Sequence, residues 1–147
     1  MLSEQIKSLV ERIDISKRKI GRSAYSSADN YCEKSFFEWT EKLFPGVKSD
    51  LSGYIAFSKI ANGLNYNGLF VYSIIPGDKY NIYNSNEEWW DVGNQRKYLF
   101  FADDSISWYC LDVSSGIFNV LDKPGGEEME QYCSFDELLS CALEASL

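Results

Sequence analysis

The sequence predicts an α+β protein. Three observations carry this: apolar residues at helical spacing in the N-terminal part, short β-branched and aromatic runs after them, and two Asn-Gly pairs where the period changes. The change falls within residues 51–75. Leu51, Ile55, Phe57, Ile60 and Ala61 leave one face of a helix mostly apolar. Asn62-Gly63 stops that helix, because glycine accepts the left-handed backbone that ends helices. Asn67-Gly68 supplies a second turn. Leu69-Phe-Val-Tyr-Ser-Ile-Ile75 then reads as a central strand covered on both faces, and Pro76-Gly77 ends it.

The other elements follow in chain order. Leu2, Ile6, Leu9, Val10 and Ile13 recur at helical spacing, so residues 4–13 form a helix with Ser3 as its cap. Lys17, Arg18, Lys19 and Arg22 make a basic cluster, read as a solvated loop in preference to an anion site. Residues 23–30 are small and polar, a connection. Asp29 or Asn30 caps a second helix to Phe44, with Phe36, Phe37, Trp39, Leu43 and Phe44 as apolar surface, and Pro45-Gly46 ends it. Residues 80–83 form a short strand or an extended connection. Residues 84–91 form one or two helical turns capped by Asn84 or Ser85, with carboxylates in the first turn, where the helix dipole favours them. Apolar runs at 98–102, 106–111 and 117–121, separated by turns at Asp103-Asp104 and 112–116, make an antiparallel meander. Pro124, Gly125 and Gly126 with Glu127, Glu128, Met129 and Glu130 read as a loop. Ser134 with Glu137 is a capping box, and the helix it opens buries Phe135, Leu138, Leu139, Ala142 and Leu143.

Composition narrows the function. The 147 residues are the usual size of one domain, and 45% apolar with 16% aromatic residues is ample for a core. No apolar run approaches the roughly 20 residues that span a bilayer. The N-terminal residues lack the basic region and apolar block of a signal peptide, which makes a cytoplasmic location the expectation. The chain has no histidine, so a Ser-His-Asp triad, a Cys-His pair and imidazole metal sites are impossible within it. Cys32, Cys110, Cys133 and Cys141 form no C-x-x-C pair and read as ordinary thiols, so no metal is expected. There is no phosphate-binding glycine loop, and no cofactor is expected.

Charge divides the chain. Residues 1–50 carry 9 Lys/Arg and 8 Asp/Glu, while residues 51–147 carry 5 and 14, a net of −9 out of −8 for the whole. An acidic second half argues against direct nucleic-acid binding, which needs a basic patch, and for a basic protein partner. Acidity for solubility alone is the plainer explanation of the same numbers. Glu87, Glu88, Asp91, Asp103 and Asp104 are the carboxylates to weigh for acid/base work. Adjacent pairs at a helix and a turn are ordinarily local structural acids. Asp103-Asp104 lacks the alternate spacing and distal Glu of a calcium loop. Trp89-Trp90 can send one ring to the core while its neighbour points elsewhere, and an exposed Trp is a favoured interface anchor, but packing of both rings in the core is the plainer reading. The residues alone lead to a non-catalytic acidic α+β domain.

Several segments in order also resemble a known family. Trp39-Thr-Glu-Lys-Leu-Phe-Pro45 and Ile60-Ala-Asn-Gly-Leu-Asn-Tyr-Asn-Gly-Leu-Phe-Val-Tyr72 are similar to the core of the SUKH superfamily, in its YrhA-like branch. Asn86-Glu87, Tyr98-Leu-Phe-Phe-Ala-Asp103, the strand with Trp108, Tyr109 and Asp112, and Ser134-Phe-Asp-Glu-Leu-Leu139 continue the match to the C-terminus. Ala102 stands where the family often has glycine. The resemblance implies an α+β fold: a mixed, mainly antiparallel sheet of about five or six strands with N-terminal helices and a C-terminal helix packed on one side. It further implies an immunity protein that binds and neutralises a cognate bacterial toxin, or alternatively a regulatory scaffold of the fungal wall-signalling kind. The partner-binding residues expected are Glu87, Glu88, Trp89, Trp90, Asp91, Asp103 and Asp104.

Overall fold

A computed structural model describes residues 2–92 and 95–147 of the chain; Met1, Gly93 and Asn94 lie outside it. The protein has an α+β fold. Among the described residues five α-helices accompany one six-stranded sheet, antiparallel throughout, in which each strand pairs with its sequence neighbours.

The N-terminal layer is helical. α1 (Glu4–Arg18) opens with Ser3, whose hydroxyl accepts the Ile6 N–H at 3.3 Å. It runs beyond the expected end at Ile13 to Arg18, because Arg18 reaches back one turn to Asp14 at 2.8 Å. Lys17 and Arg18 of the basic segment thus belong to the helix end, while Lys19 and Arg22 lie in the exposed stretch that follows, as expected. Lys17 Nζ donates to the Asn65 carbonyl at 2.8 Å. α2 (Asn30–Leu43) is capped by Asp29, which accepts the Cys32 N–H at 3.0 Å. After Pro45-Gly46 and a 3-10 turn (Val47–Asp50) comes α3 (Ser52–Ala61).

The double Asn-Gly then turns the chain twice. Asn67 (φ 48°) and Gly68 (φ 85°) are both left-handed, the geometry that joins β1 (Asn65–Tyr66) to β2 (Leu69–Val71) in a two-residue hairpin. β2 is buried but short, and it lies next to the sheet edge, so the expectation of a central strand to Ile75 is corrected. The buried Asn62 explains the early end. Its side chain donates to the Ser73 hydroxyl and accepts the Ile74 N–H, both at 2.9 Å, and draws the chain off the sheet.

Residues 80–83 form no strand in that sheet. Asn81 caps α4 (Ile82–Asp91), accepting the Asn84 N–H at 2.8 Å. The cap is thus neither Asn84 nor Ser85, and Glu87 and Glu88 lie past the first turn. The central strands are β3 (Tyr98–Asp103), β4 (Ser107–Asp112) and β5 (Ile117–Asp122), whose residues are buried on both faces. A bulge in β3 falls between Phe100 and Ala102. The acidic segment expected as a loop is a strand, β6 (Glu128–Tyr132), with Val120 opposite Glu130 and Phe118 opposite Tyr132. An edge strand needs no apolar alternation, which is why its composition misleads.

α5 (Phe135–Ser146) starts at the capping box, where Ser134 accepts the Glu137 N–H at 3.2 Å. It packs with α3 on one face of the sheet; Phe135 stands edge-on to Phe101 at 5.2 Å, and Tyr54 lies 5.3 Å from Phe101. α4 covers the other face through Trp89 against Trp108 at 5.4 Å. Helices thus flank both faces, a correction to the expected one-sided arrangement.

Candidate interaction face

α4 sorts its residues by helical spacing. Asn86 and Trp90, four apart, face the sheet; Glu87, Glu88 and Asp91 face out and are exposed. Trp90 is 3% exposed, stacks on Trp39 at 6.0 Å and donates its indole N–H to the Tyr98 carbonyl at 2.7 Å. It is a core residue, and the expectation that it meets a partner is corrected. Trp89 is half-buried. Its indole N–H donates to the Tyr72 hydroxyl at 2.8 Å.

Through Trp89 the helix joins the ends of the sheet strands. The Tyr72 hydroxyl in turn donates to Asp103 Oδ1 at 2.8 Å, and Lys123 pairs with Asp103 Oδ2. Lys123 Nζ also donates to the Asp104 carbonyl at 2.8 Å and sits over the Trp89 and Trp108 rings, 4.9 and 5.7 Å from their centroids. A cation over two rings beside a carboxylate is well compensated for its loss of water. Burial, reinforced by the Asp103 charge, pushes the Tyr72 phenol well above its ordinary range, so it stays a proton donor.

Asp104 is equally committed. Its Oδ1 accepts the Ile106 and Ser107 N–H groups at 3.0 and 2.8 Å, and its Oδ2 accepts the Tyr109 hydroxyl at 2.8 Å. Burial and the Asp104 carboxylate push the Tyr109 phenol upward too. Asp103 and Asp104 are half-buried and held by bonds within the fold. Asp91 lies 3.5 Å from Arg96, both exposed. Of the seven expected residues, Glu87, Glu88 and Asp91 are exposed on one rim with the half-buried Trp89 beside them.

The wider surface is more informative than this rim. Of the 14 Asp/Glu in residues 51–147, only Asp91 and Asp103 pair with a Lys or Arg among the described residues. The remaining carboxylates leave an uncompensated negative field spread over α4, the strand turns, β6 and α5. The cysteines do not converge. Cys110 is buried on the α4 face of β4, whereas Cys141 lies on α5 across the sheet, beside Tyr132. Sequence reasoning missed Lys123 and Tyr72, because a single Lys in a turn and a Tyr in an apolar run carry no pattern. It also missed the strand character of β6.

No family model matches the sequence, and no curated protein matches it significantly. A crystal structure of a protein from Pseudomonas syringae pv. tomato is similar at 17% identity and a TM-score of 0.59, covering 94% of this chain and 98% of that one. At that identity the likeness concerns the fold alone. No helix among the described residues is long and apolar enough to cross a membrane.

Proposed function

We propose that this chain is a non-catalytic, cytoplasmic immunity protein of the SUKH superfamily, which binds and neutralises a bacterial toxin domain with a basic surface. The observation that carries the reading is the set of carboxylates in residues 51–147 left without a cationic partner among the described residues. Such a surface attracts a basic protein at long range and repels nucleic acid. A toxin that acts on nucleic acid must present positive charge where its substrate sits. An acidic binder that covers that patch excludes the substrate by competition.

Binding in preference to catalysis agrees with the commitments of the acidic residues. Asp103 is held by Lys123 and Tyr72, and Asp104 by the turn it closes. Without a histidine anywhere, no imidazole base stands by for a nucleophile. Glu87, Glu88 and Asp91 are the charged part of the proposed contact rim, with the half-buried Trp89 as its apolar member.

The test is co-expression with the C-terminal domain encoded by the gene immediately upstream. Cells that make that domain alone should stop growing, and cells that also make this protein should recover. Unrelieved toxicity, or a neighbouring gene with no toxic domain, overturns the reading.

A further inference from the structure

β6 is the open edge of the sheet. Among the described residues it pairs with β5 on one side only, and Glu128, Met129, Glu130 and Gln131 are all exposed. A five-residue strand with a free side presents backbone N–H and C=O groups to any chain that approaches it extended. The opposite edge does not compare. β1 has two residues, and Lys17 already occupies the Asn65 carbonyl.

Beside β6, on the α5 face, runs an open groove of about 580 Å³ lined in part by Glu130, Tyr132, Glu137, Cys141 and Glu144. Its three carboxylates accept only neutral donors among the described residues. Glu130 takes the Tyr132 hydroxyl, Glu137 the Ser134 hydroxyl at 3.2 Å, and Glu144 the Gln5 amide at 2.8 Å. Glu127 and Glu128 add to the same edge. A second copy of this chain is a poor occupant, because antiparallel β6 strands would set these glutamates against one another, and like charges across a strand pair are destabilising.

We propose that the β6 edge takes up an extended, lysine- or arginine-bearing segment of the partner protein as a seventh strand, with its cationic side chains in the groove between β6 and α5. The assignment rests on the reading that the partner is a basic protein. Alternate side chains of a strand point to one face, so an added strand with cations at every second position presents them all on the groove side. Met129, 63% exposed, offers an apolar contact on the edge itself.

The test uses the isotope-labelled full chain and a capped octapeptide of alternating Lys and Val, with a Glu-Val octapeptide as control, both at millimolar concentration. Amide signals of residues 128–132 and of the groove should shift with the lysine peptide and stay put with the control. The variant Glu130→Gln/Glu144→Gln, altered at exposed positions only, should bind the lysine peptide roughly tenfold more weakly. Shifts confined to α4, equal shifts with both peptides, or no shift at all overturn the proposal. So do shifts that follow protein concentration, which mean that a second copy fills the edge. The peptide probes the edge without the toxin. Failure here with the toxin domain still neutralised removes the edge assignment alone, and a responsive edge with no neutralisation removes the functional reading alone.

Discussion

Asn86 finishes a strand that has run out of neighbours. β2 ends its pairing near Ala102, and the Phe100 backbone groups then face α4. The Asn86 side chain accepts the Phe100 N–H at 2.7 Å and donates to the Phe100 carbonyl at 2.9 Å. Asn86 is fully buried, so truncation leaves two backbone groups with nothing to bond. Asn86→Ala should lower stability by about 3 kcal/mol, read as a fall in the urea midpoint at unchanged slope. A carboxylate supplies a second residue-scale outcome. The Ala24 N–H, donated at 2.8 Å, pulls Asp14 below its ordinary value of 3.8; burial opposes this, and Ser23 and Arg18 reinforce it. Asp29 is lowered likewise by the Cys32 N–H it accepts. A group lowered in the folded state adds stability above its unfolded value and loses it as pH falls through the folded value. Unfolding free energy should therefore drop as pH falls below 3.8, and Asp14→Asn should flatten that dependence. In the sequence these caps were partly legible: Ser3 and Ser134 stood in known positions, and Asp29 was one of two candidates. The amides of Asn62 and Asn86 were not, because their partners are distant in the chain and a lone Asn has no period.

At the scale of elements, local signals served well where they coincided with tertiary need. The Asn-Gly turns, the Pro45-Gly46 stop and the meander of β3 to β5 stand where residue chemistry put them. Edges and helix starts did worse. The α4 start was displaced because Asn81, which also donates to the Pro76 and Asp78 carbonyls, competed with Asn84 and Ser85 for the cap. One glycine was silent in the sequence and decisive in the packing. Gly53 sits in the first turn of α3, where a Cβ would stand 2.8 Å from the Phe135 Cβ of α5. Alanine is ordinarily favoured over glycine in a helix by about 1 kcal/mol. Overpacking a fixed contact costs about 1–3 kcal/mol, and the Phe135 Cβ is too near its backbone to move away. The clash should win, with Gly53→Ala lowering the melting temperature by about 5 °C in a calorimetric scan.

For the whole molecule the governing quantity is the distribution of charge. The division between a balanced first third and an acidic remainder was visible in the composition. Which acids are spent inside the fold was not, since Asp103 needs Lys123 from another turn and Asp104 needs Tyr109 from the next strand. The carboxylates without a cationic partner among the described residues leave an outward field that acts before contact. Charge should therefore speed encounter more than it sets final affinity. Neutralising Glu87, Glu88 and Asp91 together should slow association when the partner docks at that rim, because exposed charges are screened within about 8 Å at physiological salt. The most direct test is stopped-flow association of the purified full chain with the purified C-terminal domain of the upstream gene product over a salt series. The expected result is a saturable complex whose association rate falls steeply as salt rises, with a slower rate and a shallower salt dependence in the triple variant. No saturable complex, or association rates indifferent to salt, would contradict an acidic binding protein.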